Sequence, residues 1–144
     1  MPKRDAPAAK RDAAVRKRDA PRPTDAELEI LNVLWQRGAC TVRDVHQAIS
    51  RTKPAVGYTT VLKTMQIMSE KELVRRDESQ RAHVYEARRA REQTQRQLIG
   101  DLLERAFDGS ATKLVMQALS AQTASAEELS TIREMLDEFE RGES

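Results

Sequence analysis

The sequence predicts a mainly α fold in two parts: three short helices closed by a β-hairpin, then three further helices. Apolar residues recur at helical spacing in six stretches, and four of these follow a Thr or Ser suited to N-capping (Thr24, Thr41, Ser110, Ser125). Between the third and fourth stretches, two runs rich in strand formers flank a polar segment.

The elements follow in order. Thr24-Asp25-Ala26-Glu27 reads as a capping box, in which the Thr hydroxyl and Glu carboxylate satisfy each other's backbone amides. Leu28, Leu31, Leu34 and Trp35 then mark an apolar stripe, and Gly38 suits a C-cap, giving a helix over about 25–37. Ala39-Cys40 leaves room only for a bridge or brief strand. Thr41, with Asp44 three residues on, caps a second helix over 42–50 whose face is Val42, Val45, Ala48 and Ile49. Pro54 breaks the chain, because the residue before a proline is pushed toward extended geometry.

Gly57 turns the chain into a third helix over 58–70. Val61, Met65 and Met68 share one face, while Thr59, Lys63 and Gln66 point the other way. Leu73-Val74-Arg75-Arg76 and Ala82-His83-Val84-Tyr85-Glu86 are the two arms of the hairpin, with polar residues between them. Three helices followed by a basic hairpin is the order of a winged helix-turn-helix domain, here 24–88, with the third helix as the recognition element.

Residues 89–144 predict three helices. Leu98, Ile99, Leu102, Leu103 and Ala106 form a stripe that ends near Phe107-Asp108-Gly109. Leu114, Val115, Ala118 and Leu119 follow Ser110, and Leu129, Ile132, Met135, Leu136 and Phe139 follow Ser125. A unit this small builds a poor core by itself. We read it as a helical dimerisation domain in which Leu98, Leu102, Leu129, Ile132 and Leu136 are shared between two copies. The alternative is that these helices fold back on the winged domain.

Composition excludes several classes. The chain has 144 residues, 33% of them charged, with one Trp, two Tyr and two Phe. No apolar run approaches the ~18 residues of a membrane span, and the charged N-terminus has no apolar core of a secretory signal. A single cysteine, Cys40, permits no disulfide within the chain, and with only His46 and His83 beside it a structural zinc site is not expected. No nucleophile motif, glycine-rich phosphate loop or metal-spaced cluster occurs, so neither catalysis nor a cofactor is expected. The chain reads as cytoplasmic.

Charge is unevenly placed. Residues 1–23 carry eight basic and three acidic side chains, 24–88 ten and nine, and 89–144 seven and eleven. The tetrapeptide Lys-Arg-Asp-Ala recurs in the first segment at 3–6, 10–13 and 17–20, but prolines and a lack of large apolar residues argue against a coiled coil. We read 1–23 as a disordered basic tail attracted to a polyanion without sequence preference.

A winged domain with basic segments suggests double-stranded DNA as partner. Thr59, Thr60 and Lys63 are the candidates for base edges: hydroxyls donate or accept, the Thr methyl meets a thymine methyl, and an ammonium pairs with guanine acceptors. Tyr58 and Arg43 are candidates for phosphates, and Arg75, Arg76, Arg81 and His83 for wing contacts to the backbone or minor groove. For Arg75 and Arg76 a solvated surface charge is an equal reading. A protein-interaction adaptor on the same fold is the alternative function.

The pieces Glu27-Leu28-Glu29-Ile30-Leu31, Leu34-Trp35, Thr41-Val42-Arg43-Asp44-Val45, Tyr58-Thr59-Thr60-Val61-Leu62, Glu70-Lys71 and Arg81-Ala82-His83-Val84-Tyr85, taken in order, resemble the BlaI/MecI/CopY family of penicillinase-type repressors. The resemblance covers about 24–140. It implies a homodimeric winged-helix repressor of a palindromic operator. It further implies, in the β-lactam branch, a membrane sensor-protease system that relieves repression by cleaving the dimerisation domain. The corresponding region here is Leu114-Val115-Met116-Gln117-Ala118, with Gln117-Ala118 where that branch carries Asn-Phe. The paired cysteines of the copper-responsive branch have no counterpart after Cys40. Two other positions depart from the pattern: Glu72 stands where glycine is usual, and Ile67 where an arginine is common.

Overall fold

A computed structural model describes residues 21–142. The expected tail lies outside the described residues except for positions 21–23. Six α-helices and a three-stranded sheet are formed among the described residues: α1 Asp25–Arg37, β1 Cys40–Thr41, α2 Val42–Ser50, α3 Tyr58–Glu70, β2 Val74–Asp77, β3 Val84–Ala87, α4 Arg91–Ala106, α5 Ala111–Ala121 and α6 Ala126–Glu140. The chain divides into two compact units between Ile99 and Gly100.

In the first unit α1 and α2 start where their capping boxes dictate. The Thr24 hydroxyl accepts from the Glu27 amide at 3.2 Å, and Glu27 Oε1 accepts from the Thr24 amide at 2.9 Å. Thr41 and Asp44 repeat the exchange at the start of α2. α3 begins at Gly57 without a side-chain cap. The sheet is antiparallel in the order β1-β3-β2. Val74 faces Ala87, Arg75 faces Glu86, Arg76 faces Tyr85 and Asp77 faces Val84. The two-residue β1 pairs Cys40 with Tyr85 and Thr41 with Val84, which ties the hairpin to the start of α2.

The core collects Ile30, Leu31 and Leu34 from α1, Val42, Val45 and Ile49 from α2, Val61, Met65 and Met68 from α3, and Leu73, Val74 and Tyr85 from the hairpin. The inner face of α3 is the one its spacing predicts. α1 is rotated relative to the expected stripe: Ile30 is fully buried, whereas Leu28 and Trp35 are only partly so. The reason lies at the polar ends of the helix. The Glu27 carboxylate, itself buried, accepts from Lys71 Nζ at 2.7 Å, and the Trp35 indole N–H donates to the Arg89 carbonyl at 2.9 Å. These bonds turn the 27–30–31–34 face inward and leave Trp35 at the edge, with the Arg91 guanidinium 5.8 Å from its ring.

α3 ends in a Schellman turn. The Leu73 amide donates to the Met68 carbonyl at 2.9 Å and the Glu72 amide to the Ser69 carbonyl at 3.1 Å. This geometry needs a left-handed residue, and Glu72 takes it with φ 62°. The conformation costs a side-chain-bearing residue about 1 kcal/mol or more.

In the second unit Ser110 caps α5, its hydroxyl accepting from the Lys113 amide at 3.2 Å. Ser125 and Glu128 form a capping box at α6, with both bonds at 3.0 Å. Among the described residues of this unit none is buried. Met116 is 62%, Leu136 56% and Phe139 61% exposed.

Glu72→Gly should stabilise the winged unit by about 1 kcal/mol, because glycine adopts the left-handed turn without strain. The only ion pair lost among the described contacts is the exposed one to Arg88 at 3.6 Å, which is worth little. Thermal melting, expected to rise by about 2–8 °C, is the measurement; a fall would mean that Glu72 holds the turn by its side chain.

Candidate nucleic-acid interface

The outer face of α3 carries Thr59, Thr60, Lys63, Gln66 and Ile67, all exposed. It stays accessible because the opposite face is anchored by the two fully buried methionines. Lys63 forms no ion pair among the described residues. Ile67, 49% exposed and one turn beyond Lys63, extends this face with an apolar side chain. In the sequence Ile67 stands out only as a departure from the family pattern; its i+4 spacing from Lys63 is the signal that marks it as part of this face.

Tyr58 opens α3 and is 47% exposed. Its ring meets the His46 ring edge-to-face, centroids 5.8 Å apart at 86°. His46 is itself fixed, with Nε2 3.1 Å from the Val56 carbonyl oxygen and 3.2 Å from the Ser50 hydroxyl. The sequence offered no reason to single out His46, because it and Val56, ten positions apart, are brought together only by the loop before α3.

The wing divides its basic residues into two classes. Arg75 reaches across the strands to Glu86 at 3.1 Å. Arg76 pairs with Glu78, and the Tyr85 hydroxyl followed by Glu78 holds its guanidinium above the usual arginine range. Both are therefore engaged inside the hairpin. Arg81 and His83, in the segment before β3, are exposed, and Arg81 has no carboxylate partner among the described residues. The tip is shaped by Asp77, whose Oδ1 accepts from the Ser79 amide at 2.9 Å. Bonds from the Ser79 hydroxyl and amide hold the Asp77 carboxyl below the usual aspartate range.

These pieces converge on one cleft of about 490 Å³. Arg43 near the start of α2, Tyr58, Arg81 and His83 stand around it; Val42, Leu62 and Tyr85 lie beneath. No acidic residue is among its described lining. Four of the residues read from the sequence as DNA contacts thus share a single opening, while Thr59, Thr60 and Lys63 lie along the helix beside it.

The candidate dimerisation residues fall in both units. Leu98 is half-buried in the first; in the second Leu129 and Ile132 are half-buried and Leu102 and Leu136 exposed. Gln117 and Ala118 lie exposed within α5.

The family model described as "Penicillinase repressor" matches residues 23–138 of this chain. Two curated proteins, both named "Transcriptional regulator BlaI" and from two strains of Mycobacterium tuberculosis, are each 31% identical to it over 119 residues. The aligned region covers 82% of this chain and 85% of each relative.

A folded-state carboxyl titration should place Asp77 below an ordinary aspartate, and Ser79→Ala should move it back upward. With the folded value depressed, the turn's contribution is complete above the unfolded value and disappears as pH falls through the folded one. An unchanged Asp77 midpoint in the Ser79 variant would contradict this account of the tip.

Proposed function

This chain belongs to the penicillinase repressor family, and from that membership we propose that it is a homodimeric repressor of transcription that reads a palindromic operator through α3. The observation that carries the reading is the two-sided character of α3: a face buried to the limit at Val61, Met65 and Met68, backed by an outer face of short polar side chains and one unpaired ammonium. Such a helix is held rigidly from behind and enters the major groove from the front. Thr59, Thr60 and Lys63 face base edges, and Ile67 meets thymine methyls. Arg43, Tyr58, Arg81 and His83 meet the sugar-phosphate backbone. Arg75 and Arg76 exchange their present carboxylate partners for phosphates only at the cost of those pairs, so they contribute less than the other wing residues. Cytoplasmic action follows from the partner; no helix among the described residues is long and apolar enough to cross a membrane.

Dimerisation is supported by the second unit. Each large apolar side chain is worth roughly 1.5–3 kcal/mol on full burial, and here Leu102, Val115, Met116, Leu119, Met135, Leu136 and Phe139 are all exposed. A second copy related by a two-fold axis covers the same surface on both chains and spaces two recognition helices for two half-sites. Relief by a membrane sensor-protease system fits the same design: cutting between Gln117 and Ala118 separates α6, with Leu129, Ile132 and Leu136, from the winged domain. An interaction adaptor would not need the uncompensated Lys63, Arg43 and Arg81 on one face, which favours DNA.

The full chain should sediment as a dimer at micromolar concentration, and Leu136→Asp should shift it toward monomer and weaken operator binding together. Leu136 is exposed in the single chain, so the variant leaves the winged core unchanged; a monomeric wild type would refute the dimer.

Lys63→Ala should cost about 1–3 kcal/mol of discrimination between operator and unrelated duplex, with melting unchanged. Met65→Ala should do the opposite, losing about 2–5 kcal/mol of stability. Mobility shift and thermal melting on both variants check the assignment; unchanged operator binding by Lys63→Ala, with a melting loss like that of Met65→Ala, would reverse the two faces.

A further inference from the structure

The cleft between α2, α3 and the wing is lined by two arginines and by no acidic residue. Five cations of the winged unit find carboxylates: Lys53 with Glu29 at 2.7 Å, Lys71 with Glu27, Arg75 with Glu86, Arg76 with Glu78 and Arg88 with Glu72. Arg37, Arg51 and Lys63 form no ion pair among the described residues, but none of them lines the cleft. Residues 24–88 carry nine acidic side chains against ten basic ones, so partners are plentiful. Arg43 and Arg81 nevertheless stand at one opening with no ion pair to any described residue and no acid in the lining. Two guanidinium groups brought to a common opening repel each other unless an anion sits between them. The third polar member is posed in advance: His46, fixed by Val56 and Ser50, stacks edge-to-face on Tyr58 and sets the direction of its ring.

We infer that this cleft seats a single backbone phosphodiester of the operator, held jointly by Arg43 from α2, Tyr58 from α3 and Arg81 from the wing, with His83 beside them and His46 as the positioning residue for Tyr58. The inference rests on the DNA-binding reading above. A phosphodiester fits the group because guanidinium forks bond phosphate oxygens bidentately and a phenol O–H donates to the same anion. One shared anion couples the wing to the helix-turn-helix, so the contacts act as a unit. It also fixes the register of α3 on the duplex, carrying no sequence information of its own. Arg75 and Arg76, engaged within the hairpin, lie outside this unit.

The test uses the full chain and a duplex that wild type selects from a random pool. Arg43→Gln, Arg81→Gln and the double variant are compared for affinity across salt concentration, with melting as the control for folding. Each single change should weaken binding by about tenfold or more. The double should lose about as much as one single, and all three should lower the salt slope by about 0.9, the value for one phosphate. Re-selection from the pool should return the same sequence. His46→Ala should weaken binding about as much as Tyr58→Phe and add nothing to it in combination. Additive losses, with the slope of the double falling by about 1.8, would mean two separate phosphates and overturn the shared seat. Unchanged affinity in Arg43→Gln and Arg81→Gln, with wild type binding its selected duplex, would overturn the seat alone. A wild type that selects no sequence at all would overturn the DNA reading and the seat with it.

Discussion

Burial of one face of α3 is the constraint on which the winged unit depends. Val61, Met65 and Met68 sit between α1, α2 and the hairpin, and the two methionines have no exposed surface. Methionine fills irregular space with an unbranched, polarisable chain, which suits a helix contacted from three directions. Because these side chains cannot leave the core without a large loss of buried apolar area, the opposite face of the helix is held toward solvent as a rigid surface. The ends of α3 are fixed by separate means: the Schellman turn at Glu72 closes one, and the His46–Tyr58 contact steadies the other.

Hydrogen bonds of the first unit join that helix to its neighbours in a continuous chain. Lys71, just past the end of α3, bonds the Glu27 carboxylate that also caps α1. The carbonyl of Glu72 accepts from Arg89 at 3.0 Å, and the carbonyl of Arg89 accepts from the Trp35 indole. The start of α4 is thereby fastened to the back of α1 and to the turn after α3. Most cations in this unit serve such internal duties. Among those that do not, Lys63 on α3 and Arg43 and Arg81 at the cleft stand where a polyanion would meet them, so the positive surface is local although the total charge is near neutral.

The second unit poses the opposite problem. Its helices are well capped and individually sound, yet none of their described residues is buried. Local capping makes a helix start, but stability comes from burying a face, and here the faces outnumber the partners within one chain. The proposed dimer would cover these faces without altering any helix.

How much of this was legible in the sequence depends on the range of the interaction. Caps at Thr24, Thr41, Ser110 and Ser125, the inner face of α3, the hairpin and the glycine-like demand at Glu72 are local effects, written within a few residues, and they can be read from spacing and residue type alone. The rotation of α1 could not: it comes from Glu27 finding Lys71 across 44 residues and Trp35 finding Arg89 across 54. The same is true of the basic residues. Sequence gives Arg43, Arg75, Arg76 and Arg81 the same charge and leaves their partners open. Tertiary structure separates them, because cross-strand register places Arg75 opposite Glu86, while the pairing of β1 with β3 brings the wing beside the start of α2 and leaves Arg43 and Arg81 at one opening. Charge is a property of the residue, but whether that charge is compensated is a property of the fold.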